Sequence, residues 1–227
     1  MRVSRIIVVA LIVLSFATTA FAQSAAENVM NVSAYWKHKA SQFVTLPNPE
    51  NEICFLGDSI TDGSEWRELT GDPRVTNRGI GGDTSWGVLA RITEITEGKP
   101  AKVFLMIGTN DLAWGGESVA RVSANIAKLL DTIKTQSPAT EIYLQSVLPV
   151  REDMRGDADQ FKNANINPLN VELIKIAAAR KIAFVDLRPL FTDEAGKLKR
   201  ELTEDGLHIN GAAYYLWYGA IRKYFED

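Results

Sequence analysis

An apolar run that stops at a turn and a hydroxyl, Ile53-Cys54-Phe55-Leu56 followed by Gly57-Asp58-Ser59, limits the fold of this chain more than any other stretch. Four consecutive apolar residues leave no solvent-facing side, as expected of a strand covered on both faces. Ser59-Ile60-Thr61 and then Glu65-Trp66-Arg67-Glu68-Leu69 read as the beginning of a helix. In a parallel sheet such a turn lies at the carboxyl end of the strand, where ligands bind and helix-start amides favour negative charge. Ser59 is therefore a candidate nucleophile, or else a residue that caps the helix after it.

The rest of the chain repeats that alternation. Residues 26–43 place Val29, Val32, Tyr35 or Trp36, and Phe43 at helical spacing, predicting an exterior helix closed by Pro47-Asn48-Pro49. A helix to about Leu69 leads through Gly71-Asp72-Pro73 to a very short strand at Val75-Thr76-Asn77. Arg78-Gly79-Ile80-Gly81-Gly82-Asp83-Thr84 then opens a helix with Val88, Leu89, Ile92 and Ile95 on one face, ending near Gly98-Lys99-Pro100. Residues 102–107 form a buried strand, followed by Gly108-Thr109-Asn110-Asp111 and a loop through Trp114-Gly115-Gly116. Ser118 can cap a long helix in which Val119, Val122, Ile126, Leu129, Leu130 and Ile133 repeat with helical period. Strands are expected at 141–148 and 183–186, helices at 165–180 and from 211 to 225, and a charged connection at 191–204. Residues 150–163 are polar and unpatterned, the kind of long loop that shapes a site. Strands alternating with helices predict the α/β class, as a single three-layer α/β/α domain with a parallel, flavodoxin-like sheet. The segments after strands one, two, three and five then open on one rim.

The chain has the length of one such domain. Its first residues are basic, Ile6 to Phe16 is almost wholly apolar, and Ala20-Phe21-Ala22 before Gln23 has the small-x-small pattern of a signal peptidase site. Residues 1–22 read as a removable secretory leader, with 23–227 as the exported domain, periplasmic or secreted; the competing reading, a retained anchor, needs a longer apolar run. Loss of the leader takes Arg2 and Arg5 with it and moves the formal net charge from −3 to −5. A mildly acidic chain with no basic run argues against nucleic acid or an anionic membrane surface as partner. The lone cysteine, Cys54, falls inside the first strand and reads as a small core residue.

A serine nucleophile needs a base, a group to orient the base, and donors for an oxyanion. Of two histidines, His38 lies between Lys37 and Lys39 on the exterior helix, whereas His208 falls in Glu204-Asp205-Gly206-Leu207-His208 on the predicted rim. Asp205, three residues upstream, is close enough to accept from the imidazole; Asp58 is a rival, although beside the nucleophile it is expected to bond the local backbone. For the oxyanion, Gly82 presents a main-chain N–H unobstructed by a side chain, with Asp83 as the expected helix cap, and Asn110 presents a side-chain amide. Gly-Gly as a plain turn and Asn110 as a turn former are the simpler alternatives for each taken singly. No ligand cluster for a metal and no phosphate-cradling glycine loop with a lysine is present, and no cofactor is implied.

Gly57-Asp58-Ser59, Gly79-Ile80-Gly81-Gly82-Asp83, Gly108-Thr109-Asn110-Asp111 and Asp205-Gly206-Leu207-His208 together resemble the SGNH (GDSL-type) serine hydrolases. The Gly-Ile-Gly-Gly-Asp form is similar to the branch with the catalytic subunits of platelet-activating-factor acetylhydrolase and many exported bacterial esterases. The resemblance spans the whole domain after the leader, and no motif position is missing. It implies the SGNH hydrolase fold, Ser59 as nucleophile, His208 as base, Asp205 as orienter, and an oxyanion hole from the Ser59 N–H, the Gly82 N–H and the Asn110 side chain. The expected activity is hydrolysis of short acyl esters, acetyl above all, of carbohydrate or other polar alcohols. Trp86 and Trp114 beside the oxyanion segments are candidate substrate contacts, or else core packing. The alternatives are a lysophospholipase or thioesterase for longer chains, a non-catalytic carbohydrate- or lipid-binding module, and a flavodoxin-like nucleotide protein.

Overall fold

In a computed structural model of the chain, five strands lie side by side in the order β2-β1-β3-β4-β5, all parallel. They are β1 (Ile53–Gly57), β2 (Val75–Gly79), β3 (Lys102–Met106), β4 (Glu141–Gln145) and β5 (Ala183–Val185). The structure describes residues 33–156 and 158–225. The leader expected at 1–22, and the first turns of the helix expected from residue 26, lie outside these; the described part of that helix is α1 (Ala34–Thr45).

The expected three-layer α/β/α domain is the observed one. β1 and β3 are buried at every position, as continuous apolar strands with a layer on each side require. Strand register stacks Phe55, Phe104 and Tyr143 as an aromatic row across β1, β3 and β4, with ring centroids 5.1 Å and 4.7 Å apart. Alternation sends Leu56, Leu105 and Leu144 to the opposite face. The aromatic row is covered by α3 (Trp66–Thr70), whose Trp66 stacks on Phe55 at 4.0 Å, and by α10 (Gly211–Ile221), whose Trp217 meets Trp66 edge-on.

On the other side pack α4 (Ser85–Ala90), α5 (Ile92–Gly98), α7 (Val119–Gln136) and α8 (Asn163–Arg180). Right-handed crossovers force this division, because the chain reverses direction across the sheet after β2. The strand order reverses between β1 and β3, the switch point beside which open α/β sheets bind ligands.

Several boundaries differ from expectation, each for a local reason. The helix expected from Ser59 to Leu69 is two: α2 (Ser59–Asp62) ends at Gly63, and α3 begins at Trp66. The next helix also divides, at Arg91, whose side chain turns inward. Residues after Gly108, expected as loop, form the one-turn helix α6 (Thr109–Ala113), with Gly108 at φ +130° allowing the abrupt turn. A short helix not expected, α9 (Arg188–Phe191), leads into the charged connection, which itself holds a 3₁₀ turn over Arg200–Leu202. Cys54 is fully buried, as a core residue should be, and burial pushes its thiol pKa well up. No helix among the described residues is long and apolar enough to cross a membrane.

Candidate active site

The carboxyl ends of β1, β2 and β3 and the loop before α10 lie on one rim, and these four sequence segments carry the candidate site residues. The first is the turn after β1. The cap of α2 is Asp58, not Ser59: the Asp58 side chain accepts from the Ile60 N–H at 3.0 Å. This leaves the Ser59 hydroxyl free for other partners, and its Oγ lies 2.9 Å from His208 Nε2. His208 Nδ1 lies 2.6 Å from Asp205 Oδ2, while Asp205 Oδ1 accepts from the main-chain N–H groups of Leu207 and His208 at 2.9 Å and 2.8 Å. Asp205 and not its rival Asp58 meets the imidazole. Burial acts to raise the Asp205 pKa, but the bonds from the His208 ring and from these two amides outweigh it and hold the carboxyl below its ordinary value. The side chains of Asp205 and His208 remain about half exposed, so solvent reaches the imidazole. His38 is exposed on α1, away from this arrangement.

The loop after β2 supplies the second element. Gly82 adopts φ +76°, a conformation open to glycine without strain, and faces solvent. The expected cap role of Asp83 is corrected: Thr84 caps α4 by accepting from the Gly87 N–H, and the Asp83 carboxylate instead turns into the protein. There it accepts from Arg91 Nε, from Trp36 Nε1 and from the Thr84 N–H, each at 2.9 Å. Burial nevertheless raises its pKa against the pull of Arg91 and Trp36. Arg91, itself buried, also donates to the carbonyls of Gly57 and Arg78 at the ends of β1 and β2, which joins the Asp83 loop to the strand ahead of Ser59.

Asn110, on α6, is 1% exposed and donates through Nδ2 to the Asp83 carbonyl at 2.8 Å. An amide nitrogen carries two hydrogens, so one remains for another acceptor. Next to it, Asp111 accepts from the Ser85 N–H at 3.0 Å, and from the Ser85 hydroxyl, which Asn125 also engages. The two neighbours on α6 thus grip the Gly82 loop on both sides. Among the described residues, neither the Ser59 N–H nor the Gly82 N–H has a bonded acceptor. The turns after β1, β2 and β3 thus each carry one N–H donor with capacity to spare: Ser59, Gly82 and Asn110.

Of the two candidate substrate contacts, the structure separates one from the other. Trp114 is 66% exposed, would lie 3.8 Å from a β-carbon placed on Gly82, and stands edge-on to Phe161 from the long polar loop. Trp86 is partly buried, with the Arg121 guanidinium 5.3 Å from its ring centre, and its place is in the packing of α4 against α7. Sequence reasoning missed the supports of the site: Trp36, Arg91 and Asp111 around the Gly82 loop, and Arg151 and Arg155 behind the imidazole. Arg151 bonds through its main-chain N–H to the Gly206 carbonyl at 2.8 Å, and the Arg155 side chain donates to the Asp205 carbonyl at 3.1 Å. No local spacing marks any of them, since each partner lies elsewhere in the chain. Among the described residues no three His, Cys, Asp or Glu side chains gather as a metal site.

The model of the GDSL-like lipase/acylhydrolase family matches residues 55–216. Platelet-activating factor acetylhydrolase IB subunit alpha2 of Rattus norvegicus is 30% identical over 187 residues, 79% of this chain and 78% of that protein. A GDSL-like lipase from Bacteroides thetaiotaomicron VPI-5482 superposes with a TM-score of 0.71 at 28% identity, over 84% of this chain and 97% of the other. The acetyl xylan esterase AlAXEase shares the fold, with a TM-score of 0.63 at 19% identity over 76% of this chain and 98% of that one. A match running from β1 into α10 takes in all four motif segments, and the chain belongs to the GDSL-like lipase/acylhydrolase family, a hydrolase acting on ester bonds.

Proposed function

We propose that the protein is an exported esterase that removes short acyl groups, acetyl above all, from carbohydrate or other polar alcohols. Ser59 is the nucleophile, His208 the base and then the acid, and Asp205 the group that holds the ring. As the Ser59 hydroxyl attacks the ester carbonyl, its proton passes to His208 Nε2, and Asp205 stabilises the imidazolium. The carbonyl oxygen becomes an oxyanion, which the N–H groups of Ser59 and Gly82 and the second N–H of Asn110 receive. Collapse of this tetrahedral species expels the alcohol, which takes the proton back from His208. Water then attacks the acyl-serine by the same route and frees the acid and the enzyme.

The observation that carries this reading is the continuous run from Ser59 Oγ to His208 Nε2 at 2.9 Å and from His208 Nδ1 to Asp205 Oδ2 at 2.6 Å. Nothing in the fold requires three polar side chains in line at a solvent-facing rim. In support of a polar alcohol, the exposed face of Trp114 beside Gly82 offers a flat apolar surface of the kind on which sugar rings stack. Export rests on the leader-like residues 1–22.

A panel of acyl esters from acetyl to long-chain, on simple alcohols and on oligosaccharides, tests the reading with wild type and Ser59→Ala. Turnover lost in Ser59→Ala, and falling with acyl length in wild type, is the expected result. A strong preference for long chains replaces the acetyl reading with a lysophospholipase or thioesterase. Full turnover by Ser59→Ala, or no labelling of Ser59 by a fluorophosphonate, overturns the mechanism itself.

A further inference from the structure

The stretch matched by the family begins at residue 55, yet helix α1 ahead of it reaches the loop that carries Gly82. Four residues on successive turns of α1 make the contact. Trp36 Nε1 donates to Asp83 Oδ1 at 2.9 Å. The Tyr35 ring lies over Gly81, where a β-carbon would come within 3.3 Å of it, and the Tyr35 hydroxyl donates to Asp62 at 2.6 Å. Lys39 pairs with the other oxygen of Asp62 at 2.8 Å. The buried Phe43 ring faces the guanidinium groups of Arg78 and Arg91 at 5.1 Å and 5.7 Å.

Of these contacts, those of Tyr35 and Lys39 end on Asp62, and only that of Trp36 reaches Asp83, which is 1% exposed. Its carbonyl holds Asn110 and its main chain follows Gly82 directly, so any rotation of Asp83 moves two of the three donors aimed at the oxyanion. Arg91 fixes one carboxylate oxygen; among the described residues the other accepts from its neighbour Thr84 N–H and from the indole.

We infer that Trp36 is a positioning residue for ester hydrolysis: its indole N–H locks the buried Asp83 carboxylate and thereby sets Gly82 and Asn110 at the spacing an oxyanion needs. The inference rests on the roles given above to Ser59, Gly82 and Asn110. Donors to an oxyanion act chiefly in the transition state, so displacing them lowers kcat and leaves substrate binding almost unchanged.

The test is Trp36→Phe, which keeps an aromatic ring and removes the N–H, assayed on an activated acetyl ester. Alongside it, the affinity for a trifluoromethyl ketone is measured, because the tetrahedral adduct of such a ketone places its oxyanion against the same three donors. A fall in kcat of about 10-fold, with KM within twofold and ketone affinity reduced by the same factor as kcat, is expected from a displacement well under 1 Å. Lys39→Met loosens α1 without touching Asp83 and is expected to keep kcat within twofold. If Trp36→Phe does not melt cooperatively, replacement of Trp36 by benzothienylalanine exchanges the N–H for sulfur at unchanged shape and gives the same readout. Wild-type kcat in the Trp36 variant, an equal loss in Lys39→Met, or a rise in KM with kcat intact overturns the inference. Ser59→Ala run beside them separates the two levels. Turnover retained there defeats the roles assigned to the site, whereas turnover lost there with a normal Trp36 variant defeats the inference alone.

Discussion

Asp205 meets His208 twice, once through the ring Nδ1 at 2.6 Å and once through the main-chain N–H at 2.8 Å. The second bond ties the carboxylate to the backbone of the residue whose ring it orients, so both move together with the loop. With Nδ1 donating to Asp205, Nε2 is left to accept from Ser59.

Asp205→Ala is expected to lower kcat by about 10² or more, the scale of a mispositioned general base, with little change in KM. Asp58→Asn, assayed in parallel, keeps kcat within a few-fold, because Asp58 serves the Ile60 N–H and not the imidazole. The reverse pattern would transfer the orienting role to Asp58.

Asn110→Ala removes one donor and also frees the Asp83 carbonyl. Loss of one such donor costs about 3 kcal/mol of barrier, so kcat falls about 10²-fold or more while KM stays close to wild type. Steady-state kinetics on a single activated ester, with a thermal melt as control, decides it. A change confined to KM would place Asn110 in substrate binding.

Stability should respond to pH through Asp58. Burial, reinforced by the charges of Asp83 and Asp111 and opposed by the Ile60 N–H, pushes its carboxyl from an ordinary 3.8 up to about 7. Between those values the folded chain holds a proton that the unfolded chain has released. The contribution of this group to stability therefore falls as pH rises from about 4 to about 7. Asp58→Asn keeps an oxygen for the Ile60 N–H and cannot ionise. Relative to wild type it should gain on the order of a few kcal/mol between pH 4.5 and pH 8 by urea denaturation. Parallel stability curves for the two proteins would contradict the assignment.

Gly206 sits between Asp205 and His208 at φ +80°, with the Arg151 carbonyl only 2.6 Å from where a β-carbon would be. Gly206→Ala therefore adds a clash to the left-handed strain and should cost about 2–3 kcal/mol while reducing kcat, since the loop bearing the imidazole must shift. Gly196 has nearly the same φ, +78°, with open space around it. Gly196→Ala should cost about 1 kcal/mol and leave kcat unchanged. Equal effects at the two positions would show that backbone strain alone matters at Gly206.

Much of this was legible before any coordinates. Continuous apolar runs at 53–56 and 103–107 read as strands covered on both faces, and the helical periods between them require crossovers, so the parallel three-layer domain follows. Expectation slipped at caps and short turns, as at Asp83 and after Gly108, and at helix interiors: Gly63 and the inward turn of Arg91 split helices whose apolar spacing runs straight through. Spacing records which face is apolar, but not whether the backbone bonds along it continue.

Chain order and residue type determined that Ser59, Gly82, Asn110 and the Asp205–His208 pair follow strand ends, because a parallel sheet sends all such segments to one rim. Only the tertiary structure decided which carboxylate meets the imidazole, that Asp83 turns inward to Arg91 and Trp36, and that Trp114 rather than Trp86 faces solvent. Those outcomes depend on side-chain direction and, for Trp36 and Asp83, on partners 47 residues apart. Local periodicity is blind to both, since burial and hydrogen bonding between distant segments are settled only when the whole core closes.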